Sequence, residues 1–73
     1  MMDQLDLHGL RYIEVQPLVE DFILQASLPV IIITGNSYPM QKIVKDIVAR
    51  YGLSWDYESH WNLGAIVVNE KRI

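Results

Sequence analysis

Seventy-three residues with a net charge of −3 and no cysteine make one domain, near the lower size limit for a core that folds without staples. The missing cysteines exclude disulfides and thiolate metal sites, and the acidic balance argues against a strong non-specific grip on nucleic acid, which draws on a basic excess. No run approaches the length of a membrane span, and Met1-Met2-Asp3-Gln4 lacks the basic and apolar parts of a secretion signal, so a soluble, cytoplasmic chain without a membrane partner is expected.

Taken in order, Leu5-Asp6-Leu7-His8-Gly9 alternates apolar and polar side chains, the pattern of a half-buried strand, and Gly9 ends it. Val15, Leu18, Val19, Phe22, Ile23 and Ala26 then recur at spacings of three and four, one stripe of a helix drawn over residues 13–26. Pro17 interrupts that stripe: a proline beyond the first turn loses a hydrogen bond and crowds the preceding turn, so the helix either starts near Gln16 or bends at its start. The four β-branched residues Val30-Ile31-Ile32-Ile33 do not alternate with polar ones and predict a central strand buried on both faces. It stops at Thr34-Gly35-Asn36-Ser37, residue types that favour tight turns and helix caps.

A second stripe, Met40, Ile43, Val44, Ile47, Val48 and Tyr51, predicts a helix with Gln41, Lys42, Lys45, Asp46 and Arg50 facing water. Asn36 or Ser37 can cap it, Pro39 suits its first turn, and Gly52 stops it. Leu53, Trp55 and Tyr57 alternate with Ser54, Asp56 and Glu58 as a half-exposed strand, residues 59–64 are turn-rich, and Ala65-Ile66-Val67-Val68 forms the last strand. The order β-α-β-α-β-β predicts a two-layer α/β domain with a four-stranded mixed sheet and both helices on one face. The first two strands are parallel with a right-handed crossover, and the last two form an antiparallel hairpin. The central strand then lies between the first and the last, which leaves the acidic Trp55–Glu58 strand at the edge.

This topology brings His8-Gly9 beside Thr34-Gly35 at the strand ends, where both helix N-termini open and offer free N–H groups and positive dipole ends as a seat for one phosphate. Histidine changes charge near neutral pH, so His8 can take a proton from water or a ribose 2′-hydroxyl, or protonate a leaving oxygen, with Asp6 orienting the imidazole. The plainer alternative is that Asp6 and His8 are polar residues on a solvated strand face. Arg11 and Lys42 lie near enough to touch backbone phosphates. Trp55, Tyr57 and Trp61 either stack bases or belong to the core and its cover. Asp6, His8 and His60 lack a ligand spacing such as His-x-x-x-His, so no metal ligands are assigned.

Three motifs resemble the Smr (small MutS-related) domain family: Leu5-Asp6-Leu7-His8-Gly9 its opening motif, Ile32-Ile33-Thr34-Gly35 its second, and Asn62-Leu63-Gly64-Ala65-Ile66-Val67-Val68 its closing strand. The resemblance spans nearly the whole chain in the same element order and implies a single Smr-like domain, similar to short phage-borne copies. It also implies a fold like the C-terminal domain of bacterial translation initiation factor three. The implied function is nucleic-acid binding, with RNA or branched DNA as partner and nicking or endoribonuclease activity in several members. The candidate site is therefore Asp6 and His8 as catalytic groups, with Gly9, Arg11, Thr34, Gly35, Asn36, Ser37 and Lys42 as phosphate binders; of these, Asp6, His8, Gly9, Thr34 and Gly35 lie on the motifs that match. Cleavage assisted by a divalent metal ion and metal-free cleavage both stay open, as does the oligomeric state. The family continues its second motif as Thr/His-Gly-x-Gly, often with a cation at x. Asn36-Ser37 replaces that pair, which favours weak binding or a non-catalytic adaptor for structured nucleic acid, a ribosome or a protein.

Overall fold

The computed structural model describes residues 2–71. The elements run β1 (Gln4–Asp6), α1 (Tyr12–Gln25), β2 (Val30–Ile33), α2 (Tyr38–Arg50), β3 (Leu53–Ser59) and β4 (Asn62–Glu70). They form the α/β domain that the pattern predicts. One four-stranded sheet has the order β1-β2-β4-β3, with β1 parallel to β2 and the other pairs antiparallel.

The register divides the sheet into two faces. Leu5, Ile32, Ile66 and Tyr57 stand in one row across it, and Val30, Val68 and Trp55 in the next. These rows meet Val15, Val19 and Ile23 of α1 and Met40, Val44, Ile47 and Val48 of α2 in one core, which Leu7 joins from beyond the end of β1. The opposite face carries Gln4, Ile31, Val67 and Asp56 in a row. Here the expectation of a strand buried on both faces is corrected: Val30 and Ile32 are fully buried while Ile31 and Ile33 are half-buried. Both helices cover the same side, so among the described residues no helix lies over the other side.

Helix α1 runs without interruption from Tyr12 through Pro17 to Gln25, within a residue of the predicted bounds at each end, so it does not begin at Gln16. The proline removes the bond to the carbonyl of Ile13, a residue 83% exposed, where water can take its place. A proline inside a helix costs about 3 kcal/mol, whereas fully burying one aliphatic side chain contributes about 1.5–3 kcal/mol. Val15, Val19 and Ile23 are all buried, so packing wins. The stripe is narrower than predicted, because Leu18 is exposed, as is Tyr51 after α2. Ser37 caps α2, its hydroxyl accepting from the Met40 N–H at 3.3 Å.

The last two strands differ most from the sequence reading. The turn is only His60-Trp61, with Ser59 opposite Asn62, and β4 begins three residues before the predicted strand. Tyr57 pairs with Ile66, so Glu58 faces residues 63–65 across a bulge. The bulge turns Gly64 toward β2. Glycine and leucine inside this stretch hid the strand from period-two counting.

Candidate functional site

The strand register sets where the candidate residues meet. The C-terminal ends of β1, β2 and β3 and the start of β4 lie at one end of the sheet, and both helices begin there. The hydroxyls of Tyr12 and Ser37, at the two helix starts, approach to 3.5 Å. This end gathers residues 8–12, residues 36–38 and the hairpin tip.

Strand β1 stops at Asp6, so His8 stands in the following turn and not on the strand. The Asp6 carboxylate accepts the backbone N–H of His8 at 2.9 Å. It forms no hydrogen bond to the imidazole among the described residues, which corrects the expectation that Asp6 orients the ring. Gly9 takes φ +81°, the left-handed geometry that glycine enters freely, and the Leu10 N–H closes the turn on the Leu7 carbonyl at 3.1 Å. His8, Gly9 and Arg11 are all exposed, and Arg11 occupies the N-cap position of α1 without capping it through its side chain.

The second motif is used for structure at its start and open at its end. Thr34 is buried; its N–H and that of Gly35 both donate to the Gly64 carbonyl, at 2.8 and 3.0 Å. The Thr34 hydroxyl donates to the Gly35 carbonyl at 2.8 Å. These groups, expected to hold phosphate, hold β4 instead. Gly35 takes the left-handed conformation at φ +67°, and Asn36 does not. The N–H groups of Asn36, Ser37 and Tyr38 make no protein hydrogen bond among the described residues, and Asn36 is exposed. Lys42 lies one turn farther along α2, exposed and paired with Asp46 at 3.3 Å.

Gln41 overturns its predicted exposure. It is buried, and its amide nitrogen donates to the Leu63 carbonyl at 2.9 Å and the Gly35 carbonyl at 3.2 Å. Its amide oxygen accepts from the Tyr57 hydroxyl at 3.3 Å, which in turn accepts from Lys45 at 2.9 Å. Lys45, also expected in water, packs 4.2 Å from the Trp55 ring centroid and 4.9 Å from that of Tyr57. Trp55 and Tyr57 therefore serve the helix-facing side of the sheet and are not free to stack bases. Spacing carried the missed signal: Gln41, Val44 and Val48 share the three-four stripe. Gln41→Ala is expected to cost about 1–2 kcal/mol by leaving buried carbonyls unpaired, a fall of roughly 5–15 °C in Tm. A thermal melt equal to wild type would contradict it.

Tyr12, Tyr38 and Leu63 were not singled out by the sequence, and all are exposed at this end. Among the described residues no three His, Asp or Glu side chains are arranged to hold a metal ion. No described helix is long and apolar enough to cross a membrane. Comparison with protein-family models, curated proteins and solved structures finds no match for this chain.

Proposed function

We propose that this chain is a Smr-like domain that binds nucleic acid, RNA or branched DNA, through the end of the sheet where its helices begin. One observation carries the reading: the His8-Gly9 turn and the N-terminus of α2 share that end, with the N–H groups of residues 36–38 open. A backbone phosphate suits such donors, since a helix start presents both hydrogen bonds and positive dipole charge. Arg11 and Lys42 add cations, and the first motif adds the Smr resemblance. The geometry favours the adaptor form of this function over the nuclease. Asp6 is engaged by backbone and not by imidazole, and Thr34 and Gly35 are taken by Gly64. Phosphodiester cleavage is the second reading, favoured by one fact: His8 is exposed at this same end.

The test is a gel assay with labelled single-stranded RNA, duplex DNA and branched DNA, with and without divalent metal. Binding that weakens as salt rises, with a shallow slope for so few cations, is expected, together with an uncut substrate. Cutting by the wild type, lost by about 10²–10⁴-fold in His8→Ala, the range for a general acid–base group, would instead establish the second reading. Failure to bind any of the three would overturn both.

A further inference from the structure

We propose that Trp61, Leu63 and Tyr38 form a stacking track for unpaired nucleobases, so that the ligand of this surface is a single strand and not a duplex. The inference rests on the nucleic-acid reading above and names its substrate class. Trp61 is 88% exposed, which no packing role accounts for. Two-residue hairpin turns ordinarily select Gly, Asn or Asp for positive φ, yet His60 and Trp61 both keep negative φ. The turn therefore has no conformational need of an indole. Its ring and that of His60 meet edge to face, with centroids 5.7 Å apart and planes at 75°, and most of the indole stays open to solvent. Tryptophan is among the residue types enriched where binding energy concentrates.

Two shallow grooves extend from it. One, about 460 Å³, runs past His60 and Trp61 to Leu63. The other, about 320 Å³, runs from Leu63 past Tyr38 to Asn36. They share Leu63 and Tyr57, so one track leads from the indole to the open N–H groups at the start of α2. Tyr38 is 75% exposed and Leu63 47%.

The charge pattern fits a strand whose bases stack while a phosphate reaches the helix start. The α2 N-terminus, Arg11 and Lys42 are the electropositive groups near it. Asp56 and Glu58 line the groove beside Trp61, so bases and not phosphates suit it. Glu58 accepts from the Asn62 amide at 2.7 Å, Asp6 from the His8 N–H, and Asp46 beside Tyr38 pairs with Lys42 at 3.3 Å. With few cations, phosphate contacts alone give little affinity, and stacking must supply the rest. Every base has a π-face for an aromatic ring, but in a duplex those faces are covered by neighbouring bases. A projecting ring can use only unpaired bases.

Fluorescence anisotropy tests this with labelled oligo(rU), oligo(dT) and a duplex of about ten nucleotides, a length within the range of single-strand sites, against wild type, Trp61→Ala and Trp61→Phe. Wild type is expected to bind the single strands more tightly than the duplex. Trp61→Ala should lose roughly 10- to 100-fold for single strands, the range of one base–aromatic stack, while Trp61→Phe keeps most of the affinity. Circular dichroism melts should be unchanged in both, because the indole is 88% exposed and touches only the neighbouring exposed His60 ring. The relative affinity of oligo(rU) and oligo(dT) distinguishes RNA from single-stranded DNA as the source of the bases, and either order supports the track. Wild-type binding that Trp61→Ala leaves intact would overturn the track but keep the nucleic-acid reading. Equal duplex and single-strand affinity would overturn it in the same way. Concentration-dependent dimers abolished by Trp61→Ala would assign the indole to a second copy and overturn it too. No binding of any of these oligonucleotides would overturn the track, and no binding of branched DNA in the gel assay besides would remove the nucleic-acid reading as well.

Discussion

Ile32→Asp is expected to leave the chain unfolded at room temperature. Ile32 is fully buried, between Leu5 and Ile66 in the row of the sheet that both helices cover. A carboxylate there has no cation or donor to meet it, and an unpaired buried charge costs several kcal/mol even after it is neutralised by a proton. A domain of this length has a total stability of about 4–11 kcal/mol, so the single change consumes most or all of it. Ile31→Asp is the control. Its side chain lies on the open face beside Gln4 and Val67, and the folded state should survive with a loss of about 1–2 kcal/mol. Circular dichroism melts separate the two. A cooperative melt of Ile32→Asp near the wild-type temperature would refute the two-layer arrangement, and equal damage from both would refute the assignment of the faces.

Gly64→Ala should have the next largest effect. A Cβ built on Gly64 would stand 3.0 Å from the Gly35 carbonyl carbon, 3.1 Å from its Cα and 3.2 Å from its oxygen. All three atoms are backbone, so no rotamer change relieves the contact, and the loop after β2 has to move away. That movement stretches the bonds from Thr34 and Gly35 to the Gly64 carbonyl and loosens those from Gln41. Overpacking of this kind costs about 1–3 kcal/mol, or a fall in Tm of roughly 5–20 °C for a domain of this size. Nucleic-acid binding should fall as well, because the displaced segment carries the N–H groups of residues 36–38. An unchanged melt would mean that the loop and β4 do not depend on close backbone approach.

Element order, strand neighbours and the placement of both helices were legible because they rest on long apolar periodicities. What failed to read were positions where one side chain or one bond decides. Gln41 lies on the core stripe but is polar, so its burial depends on the Leu63 carbonyl and Tyr57 hydroxyl of the folded hairpin and the Gly35 carbonyl of the loop after β2. The start of β4 was masked by Gly64, which serves a backbone contact and not the period-two pattern. The site was read as two glycine-containing motifs, and the first part of each turned out to be structural: Asp6 fixes the turn, and Thr34 and Gly35 hold β4. The exposed rings of Tyr12 and Tyr38 were missed because an aromatic at a helix start looks like core material until the register places it outside.

The proposed function makes the end of the sheet where the helices begin the nucleic-acid surface. Its most direct test is a two-dimensional amide NMR titration of the wild-type protein with a short single-stranded RNA. The account predicts shifts confined to residues 8–12, 36–38 and 60–63, with the Trp61 indole N–H moving furthest. The face carrying Ser54, Val67 and Asn69, where neighbouring Glu70 would repel phosphate, should stay still. Shifts centred on that face, or none at saturating RNA, would contradict the claim.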